Sequence, residues 1–80
     1  MENLKHSRKV IGIKETKNAV KNDAAQTVFV ADDADPRLMQ NLRDLCALSE
    51  VECVSVLSRK ELAKACGVDV PTAAAAVLKP

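Results

Sequence analysis

Residues 27–36 read Thr27-Val28-Phe29-Val30-Ala31-Asp32-Asp33-Ala34-Asp35-Pro36, and they predict a buried strand that leads directly into a helix. The first five residues form a short β-rich apolar run, which is typical of a strand covered on both faces. Asp35 fits the N-cap position, and Pro36 fits the first helical position, where the missing N–H of proline costs no hydrogen bond. A strand followed at once by a helix favours an α/β domain.

The same alternation continues downstream of this segment. The next helix carries an apolar stripe at helical spacing that we expect to face the sheet. A third strand follows over residues 51–57, and Ser58 with Glu61 matches the capping box that begins a third helix. That helix runs through Leu62, Ala65 and Cys66, and Gly67 fits the left-handed residue that ends it. The stripe of the second helix consists of Leu38, Met39, Leu42, Leu45 and Cys46.

Upstream, Val10 and Ile11 predict a short strand, Gly12 a turn, and residues 14–21 a helix. At the other end, the alanines of residues 73–76 favour a helix by propensity, whereas Val77 and Leu78 suit a strand. The order of elements favours a fourth strand. We therefore predict a three-layer α/β/α sandwich with a small, roughly four-stranded mixed sheet, in one domain over residues 1–80.

Composition narrows the class of protein. Eighty residues with 48% hydrophobic and 29% charged side chains can bury one core and solvate its surface. The chain contains no apolar run of about 18 residues, and residues 1–9 are polar where a signal peptide is apolar. The three cysteines, Cys46, Cys53 and Cys66, are an odd number without Cys-x-x-Cys spacing. These features predict a soluble cytoplasmic protein in a reducing compartment.

The net charge of +1 conceals an uneven distribution along the chain. Residues 1–21 contain six Lys and Arg against two Glu, a charge of +4, and the remainder carries −3. A basic cluster of this kind is typical of a phosphate-binding face, although ordinary solvated helices also carry such clusters. Phe29 is the only aromatic residue, which argues against aromatic stacking of single-stranded nucleic acid.

The sequence contains few residues that could form a catalytic or metal site. His6 is the only histidine and lies in a polar segment, and the cysteines fall on predicted apolar faces. Asp32, Asp33 and Asp35 could attract Mg²⁺, but turn and cap roles also explain them. We therefore expect a non-enzymatic protein with no cofactor, no metal site and no small-molecule substrate.

The segment with the clearest binding chemistry begins at Gly12, where a turn leads into the start of a helix. Free backbone N–H groups at a helix start attract phosphate. Glu15 is repelled by phosphate but can accept hydrogen bonds from the imino and amino groups of guanine; equally, it can be a favourable acid in the first helical turn. Around it the segment presents Lys14, Lys17, Asn18 and Lys21, which combine phosphate-binding cations with a hydrogen-bonding amide.

At this point the chain resembles the L7Ae family of ribosomal and kink-turn RNA-binding proteins, most closely its short bacterial members. The resemblance covers nearly the whole chain in order and spacing. Its parts are Gly12-Ile13-Lys14-Glu15 before a helix that ends near Lys21, the segment Val28 to Pro36, and Leu62-Ala63-Lys64-Ala65-Cys66-Gly67-Val68 leading to Pro71.

The resemblance implies an α/β/α sandwich that binds the kink-turn, an RNA bend with tandem sheared G·A pairs. It implies two binding regions: a helix start that reads guanines, at Gly12, Lys14, Glu15 and Asn18, and a loop whose apolar residues pack on an extruded base, at Val68, Asp69 and Val70. Two positions differ from the family pattern. Lys14 replaces the Asn that is usual in archaeal and eukaryotic members, and Asn18 replaces a typical Lys.

The leading hypothesis is therefore a monomeric protein that binds kinked RNA, such as ribosomal RNA or a riboswitch, and does not act at a membrane. A second hypothesis is a protein-interaction adaptor of the same fold that has lost RNA binding. An enzyme that acts on a small ligand or through a metal has the least support.

Overall fold

The computed structural model describes residues 7–80, so His6 and Lys5, one of the six basic residues of the N-terminal segment, lie outside the described residues. Strands and helices alternate along the chain, as predicted. Their order is β1 (Lys9–Ile11), α1 (Ile13–Lys21), β2 (Ala25–Ala31), α2 (Pro36–Leu48), β3 (Glu52–Val56), α3 (Arg59–Cys66) and β4 (Ala74–Leu78).

The four strands form one mixed sheet in the order β1-β4-β2-β3. β4 runs antiparallel to both of its neighbours, and β2 pairs with β3 in parallel. Consequently β1, β2 and β3 all run in one direction, and each leads into a helix. The predicted α/β class and mixed four-stranded sheet are confirmed.

The sheet separates two clusters of buried side chains, which gives the three layers. On one face, Val28 and Val30 pack with Met39 and Leu42 of α2 and with the buried side of α1. On the other face, the smaller cluster is built around α3 and consists of Phe29, Val56, Leu62, Cys66 and Ala75, with Ile11, Val54, Val68 and Val77 packed against it. Alternation along each strand assigns successive side chains to opposite faces.

Three of the four alanines of residues 73–76 begin the strand β4, although alanine favours helices. Ala74, Ala75 and Ala76 are fully buried, because β4 lies between β1 and β2 with helices on both faces. Small side chains suit a central strand that is covered closely from both sides. Tertiary packing therefore overrides the intrinsic preference of alanine, as the order of elements predicted.

Two details of the predicted elements are wrong. Leu38 was expected in the stripe that faces the sheet, but 37% of its surface is exposed, because it lies at the margin of the stripe formed by Met39, Leu42 and Cys46. The third strand spans Glu52–Val56, so Val51 and Leu57, the ends of the predicted strand, lie outside it, and Leu57 is 79% exposed. Leu57 lies on the turn into α3, beyond the last residue paired with β2.

The cysteines are free thiols, and Cys46 and Cys66 are buried on helix faces as predicted. Burial and, to a lesser extent, the neighbouring Cys53 raise the pKa of Cys46 to about 12. Burial also raises the pKa of Cys53 and of Cys66, with Lys9 partly opposing the effect at Cys66. All three thiols are therefore protonated and poor nucleophiles at neutral pH.

Among residues 7–80, no helix is long and apolar enough to cross a bilayer. The longest, α2, has 13 residues, against the roughly 20 that a membrane span needs. The same described residues contain no group of three or more His, Cys, Asp or Glu arranged to hold a metal ion.

Candidate nucleic-acid interface

All three helices begin at the same edge of the sheet. This follows from the topology, since β1, β2 and β3 are parallel and each is followed by a helix that starts where the strand ends. The loop between α3 and β4 returns to the same edge, because β4 is antiparallel to the other strands. We call this surface the helix-start edge; it comprises residues 12–15, 32–37, 57–59 and 67–73.

Gly12 forms the turn from β1 into α1. Its φ of 109° is a backbone conformation that favours glycine. Its carbonyl accepts the first helical hydrogen bond, from the N–H of Thr16 at 2.9 Å. Glycine offers no side chain to cap the helix, so the N–H groups of the first turn have no side-chain acceptor.

The other two helices differ from α1 in this respect. The Asp35 carboxylate caps α2 by accepting from the N–H of Arg37 at 2.9 Å. The Ser58 hydroxyl caps α3 by accepting from the N–H of Glu61 at 3.0 Å, which confirms the predicted N-cap. Of the three helix starts at this edge, only that of α1 therefore remains without a side-chain cap. It is also the one preceded by the basic N-terminal segment.

The side chains of α1 divide into a buried and an exposed face. Thr16, Ala19 and Val20 are buried against the sheet and α2. The predicted site residues Lys14, Glu15, Asn18 and Lys21 are exposed, and Lys17 is half-buried. The ion pairs within residues 7–80 use Arg43, Arg59 and Lys79, so the three lysines of α1 are not engaged in them.

The loop after α3 is anchored at its start by Gly67, which takes the left-handed conformation with φ 77°. The N–H of Val68 then donates to the carbonyl of Ala63 at 3.0 Å, the hydrogen bond of a Schellman motif. Val68 is half-buried and packs against the cluster around α3. The resemblance implies that both loop valines pack on a base, but Val68 is the less accessible of the two, because the helix end turns its side chain toward the core.

Val70 lies at the tip of the same loop and is 66% exposed. The segment behind it is held firmly. The buried Thr72 donates its N–H to the carbonyl of Arg59 at 3.1 Å, and its hydroxyl donates to the carbonyl of Val70 at 3.2 Å. Asp69 beside Val70 is also exposed. The loop thus presents an apolar side chain outward from a fixed backbone.

Backbone hydrogen bonds connect the two predicted regions. The N–H of Gly12 donates to the carbonyl of Ala74 at 2.9 Å, at the end of the α3–β4 loop. The N–H of Ala31 donates to the carbonyl of Ala73 at 2.9 Å, which fixes the loop to the end of β2 as well. The turn at Gly12 is therefore bonded directly to the first residue of β4, four positions after Val70 in the sequence.

The three aspartates of this edge have partners within the chain. Asp35 is the cap of α2, and Asp33 accepts from the N–H of Arg59 at 2.8 Å and lies 3.5 Å from its guanidinium. Asp32 pairs with Arg43 at 3.3 Å. Their turn and cap roles are therefore visible, and two of the three negative charges are balanced locally by arginines.

A shallow groove of about 400 Å³ adjoins the loop and adds two cations that the sequence analysis did not single out. Lys60 and Lys64 line it together with Val68, Asp69 and Pro71. The two lysines are four residues apart and therefore share one face of α3. That spacing, next to a predicted binding loop, is the signal that could have identified them.

Comparisons with known proteins place these features in a wider context. A family model described as the ribosomal protein L7Ae/L30e/S12e/Gadd45 family matches residues 1–80. A Bacillus pumilus protein named RNA-binding protein is 41% identical over 69 residues, which are 86% of this chain and 84% of that protein. A structure titled Giardia lamblia 15.5kD RNA binding protein superposes with a TM-score of 0.85 and 32% identity over 91% of this chain, which spans 62% of that protein's length. A Bacillus halodurans protein of unknown function has the same fold, with a TM-score of 0.83 and 22% identity, over 90% of this chain and 72% of that one.

Proposed function

The chain belongs to the ribosomal protein L7Ae/L30e/S12e/Gadd45 family, and from that premise we propose that it binds structured RNA through the helix-start edge and recognises the kink-turn. The proposed target is a kinked element of ribosomal RNA or of a riboswitch-type RNA. The proposal assigns binding to this surface and no catalytic step. The observation that carries it is the uncapped start of α1, joined through the Gly12–Ala74 hydrogen bond to the loop that presents Val70.

The affinity would come from phosphate contacts. The first N–H groups of α1 point outward without a side-chain acceptor, and the helix dipole adds a partial positive charge there. Lys14, Lys17 and Lys21 follow along the same helix, outside the ion pairs of the described residues. Phosphate oxygens match this combination of backbone donors and ammonium groups.

The specificity would come from Glu15 and from the loop. The exposed Glu15 carboxylate weakens phosphate binding, but it can accept hydrogen bonds from guanine N–H groups. In a sheared G·A pair the guanine is not in Watson–Crick pairing, which frees such groups for a protein. Val70 offers an apolar surface on which an unstacked base can pack.

A gel-shift titration tests this proposal. The first RNA contains a kink-turn, and the control RNA has the same length with its tandem G·A pairs replaced by Watson–Crick pairs. We expect the kink-turn RNA to bind at least tenfold more tightly, because specific sites exceed non-specific ones by large factors. Equal binding of both RNAs would reduce the function to a general affinity for RNA. Binding of neither would favour the adaptor hypothesis.

Substitution of Glu15 tests the specificity directly. We expect Glu15→Ala to weaken binding of the kink-turn RNA by about 1–3 kcal/mol and to leave the control RNA nearly unaffected, because a base contact carries specificity and a phosphate contact does not. Asp44→Ala is the matched control, since Asp44 is also an exposed acid but lies on α2, outside the proposed interface. An equal change of affinity for both RNAs would assign Glu15 a role only at the helix terminus.

A further inference from the structure

The face of the sheet that carries α3 is only partly covered, and it leaves a groove beside β3. The opposite face packs against two helices, α1 and α2, whereas this face packs against α3 alone, which has eight residues. The groove encloses about 650 Å³. Phe29, Val54 and Val56 form its apolar floor, and Leu57, Glu52 and Glu61 stand at its rim. We call it the β3 groove.

The outer strand that borders this groove is open to pairing. β3 lies at the end of the sheet and pairs only with β2, in an unbroken register from Glu52 to Val56. The carbonyl of Val56 points toward β2, because it accepts from the N–H of Asp32 at 2.8 Å. By alternation, the peptide N–H and C=O groups of Cys53 and Ser55 point away from the sheet.

The two ends of the sheet differ in how they resist further pairing. β1, at the other end, has three residues and begins with Lys9, and short strands with lysine are features that block edge pairing. β3 has five residues, and its sequence Glu-Cys-Val-Ser-Val contains neither lysine nor proline. Its register with β2 also shows no bulge. The free edge therefore lies directly beside the apolar groove.

We propose that the β3 groove binds an extended, basic and apolar peptide segment of a partner protein, which adds a fifth strand alongside β3. Main-chain hydrogen bonds form with Cys53 and Ser55, and every second side chain of the peptide, basic as well as apolar, lies on the groove side of the sheet next to Val54. Lysine or arginine of the peptide pairs with Glu52 and Glu61, the two charged side chains that line the groove. The same glutamates disfavour RNA here and disfavour a second copy of β3, which would bring glutamates together. The inference is independent of the RNA interface.

The test uses the full chain and an acetylated, amidated heptapeptide, Lys-Ser-Val-Ser-Val-Ser-Lys, whose lysines and valines share one face of the extended strand. Calorimetry measures its affinity, and amide hydrogen exchange reports whether a strand forms. We expect the amides of Cys53 and Ser55 to exchange more slowly on binding. We expect the double variant Glu52→Lys with Glu61→Lys to lower the affinity for the peptide by about tenfold, since each exposed ion pair contributes modestly. Asp44→Lys on α2 makes one such charge reversal away from the groove and should leave the affinity unchanged.

A second peptide, in which glutamate replaces both lysines of the first, completes the design. It should bind the wild type weakly and the double variant more tightly, which also shows that the variant remains folded. The proposal fails if the lysine peptide leaves the exchange of Cys53 and Ser55 unchanged, or if the double variant binds it as the wild type does. It also fails if kink-turn RNA or self-association of the chain, rather than the peptide, protects these two amides.

Discussion

Lys14 and Asn18 lie one helical turn apart on the exposed face of α1, and they are the two positions that depart from the family pattern. Lys14 is within the first turn, beside the uncapped N–H groups, whereas Asn18 is in the middle of the helix. Lysine can donate to guanine acceptors and also attracts phosphate, whereas asparagine only donates and accepts. The two differences together keep the charge of the helix but move it toward Gly12.

This arrangement predicts unequal effects of substitution. Lys14→Ala should weaken binding of kink-turn RNA by about 1–3 kcal/mol, and Asn18→Ala should cost less. Asn18→Lys should strengthen binding, because it adds a cation to the exposed face. Gel-shift titrations at one fixed salt concentration measure all three. If Lys14→Ala and Asn18→Lys both leave the affinity unchanged, this face of α1 does not contact RNA.

Cys46 gives a prediction that concerns stability and pH. Burial raises the pKa of its thiol from 9.0 to about 12 in the folded protein. The folded state therefore retains the proton where the unfolded chain loses it, so stability is unaffected below about pH 9 and falls as the pH rises toward 12. Denaturant unfolding should show a loss of about 1.4 kcal/mol per pH unit for this thiol in that window.

The matched variant for this measurement is Cys46→Ala, which is less stable throughout because it leaves a cavity but lacks the titrating group. The difference between the two curves removes the contribution of the lysines, which titrate in the same range. Parallel curves between pH 9 and 12 would show that the Cys46 thiol ionises as readily in the folded protein as in the unfolded chain.

At the level of elements, the α3–β4 loop combines an anchored and an exposed valine. Val68 packs against the cluster around α3, whereas Val70 is 66% exposed at the tip. Val70→Asp should weaken RNA binding and leave the melting temperature nearly unchanged. Val68→Asp should lower the melting temperature by on the order of 10 °C, because it places a charge against the core. Thermal unfolding and gel shifts of both variants separate the two roles.

A large loss of stability in Val70→Asp would show instead that this side chain supports the fold. Unchanged RNA binding in a stable Val70→Asp would remove the loop from the interface. The sequence could not distinguish these valines, since both flank Asp69 in a short polar context. The distinction arises from the helix end at Gly67, whose left-handed backbone directs the following side chain inward.

The other wrong predictions about the helices and strands have a similar cause, because they too depend on tertiary packing. The strand of residues 27–31 and the caps at Asp35, Ser58 and Gly67 were predictable, because each depends on neighbouring residues alone. The exposure of Leu38 and Leu57 depends on where a helix stripe or a strand ends against its neighbours. Such margins follow from tertiary packing, which the periodicity of one element does not determine.

For the whole molecule, the sequence predicted the layers but not the meeting of the two regions at one edge. The order β1-β4-β2-β3 places β4 between β1 and β2, to both of which it is antiparallel. This brings the end of the α3–β4 loop beside Gly12. The turn at Gly12 is thereby bonded to the residue that directly follows this loop, Ala74. The β3 groove was not predictable either, since it exists because α3 leaves part of the sheet face uncovered.

The charge distribution of the whole molecule leads to the last prediction. The net charge is only +1, so a binding mode governed by net charge would show almost no dependence on salt. If binding instead uses the local cluster on α1, each phosphate contact releases counterions, and the logarithm of the affinity should fall linearly with that of the salt concentration. Three lysines in contact with phosphate, Lys14, Lys17 and Lys21, correspond to a slope of roughly −2 to −3.

The variant Lys21→Gln should reduce the magnitude of this slope by about 0.7–0.9. Lys79→Gln is the control, because Lys79 pairs with Asp23 at 2.7 Å and lies at the far end of β4. A flat response, or an equal change of slope in both variants, would show that the basic cluster does not meet the RNA backbone.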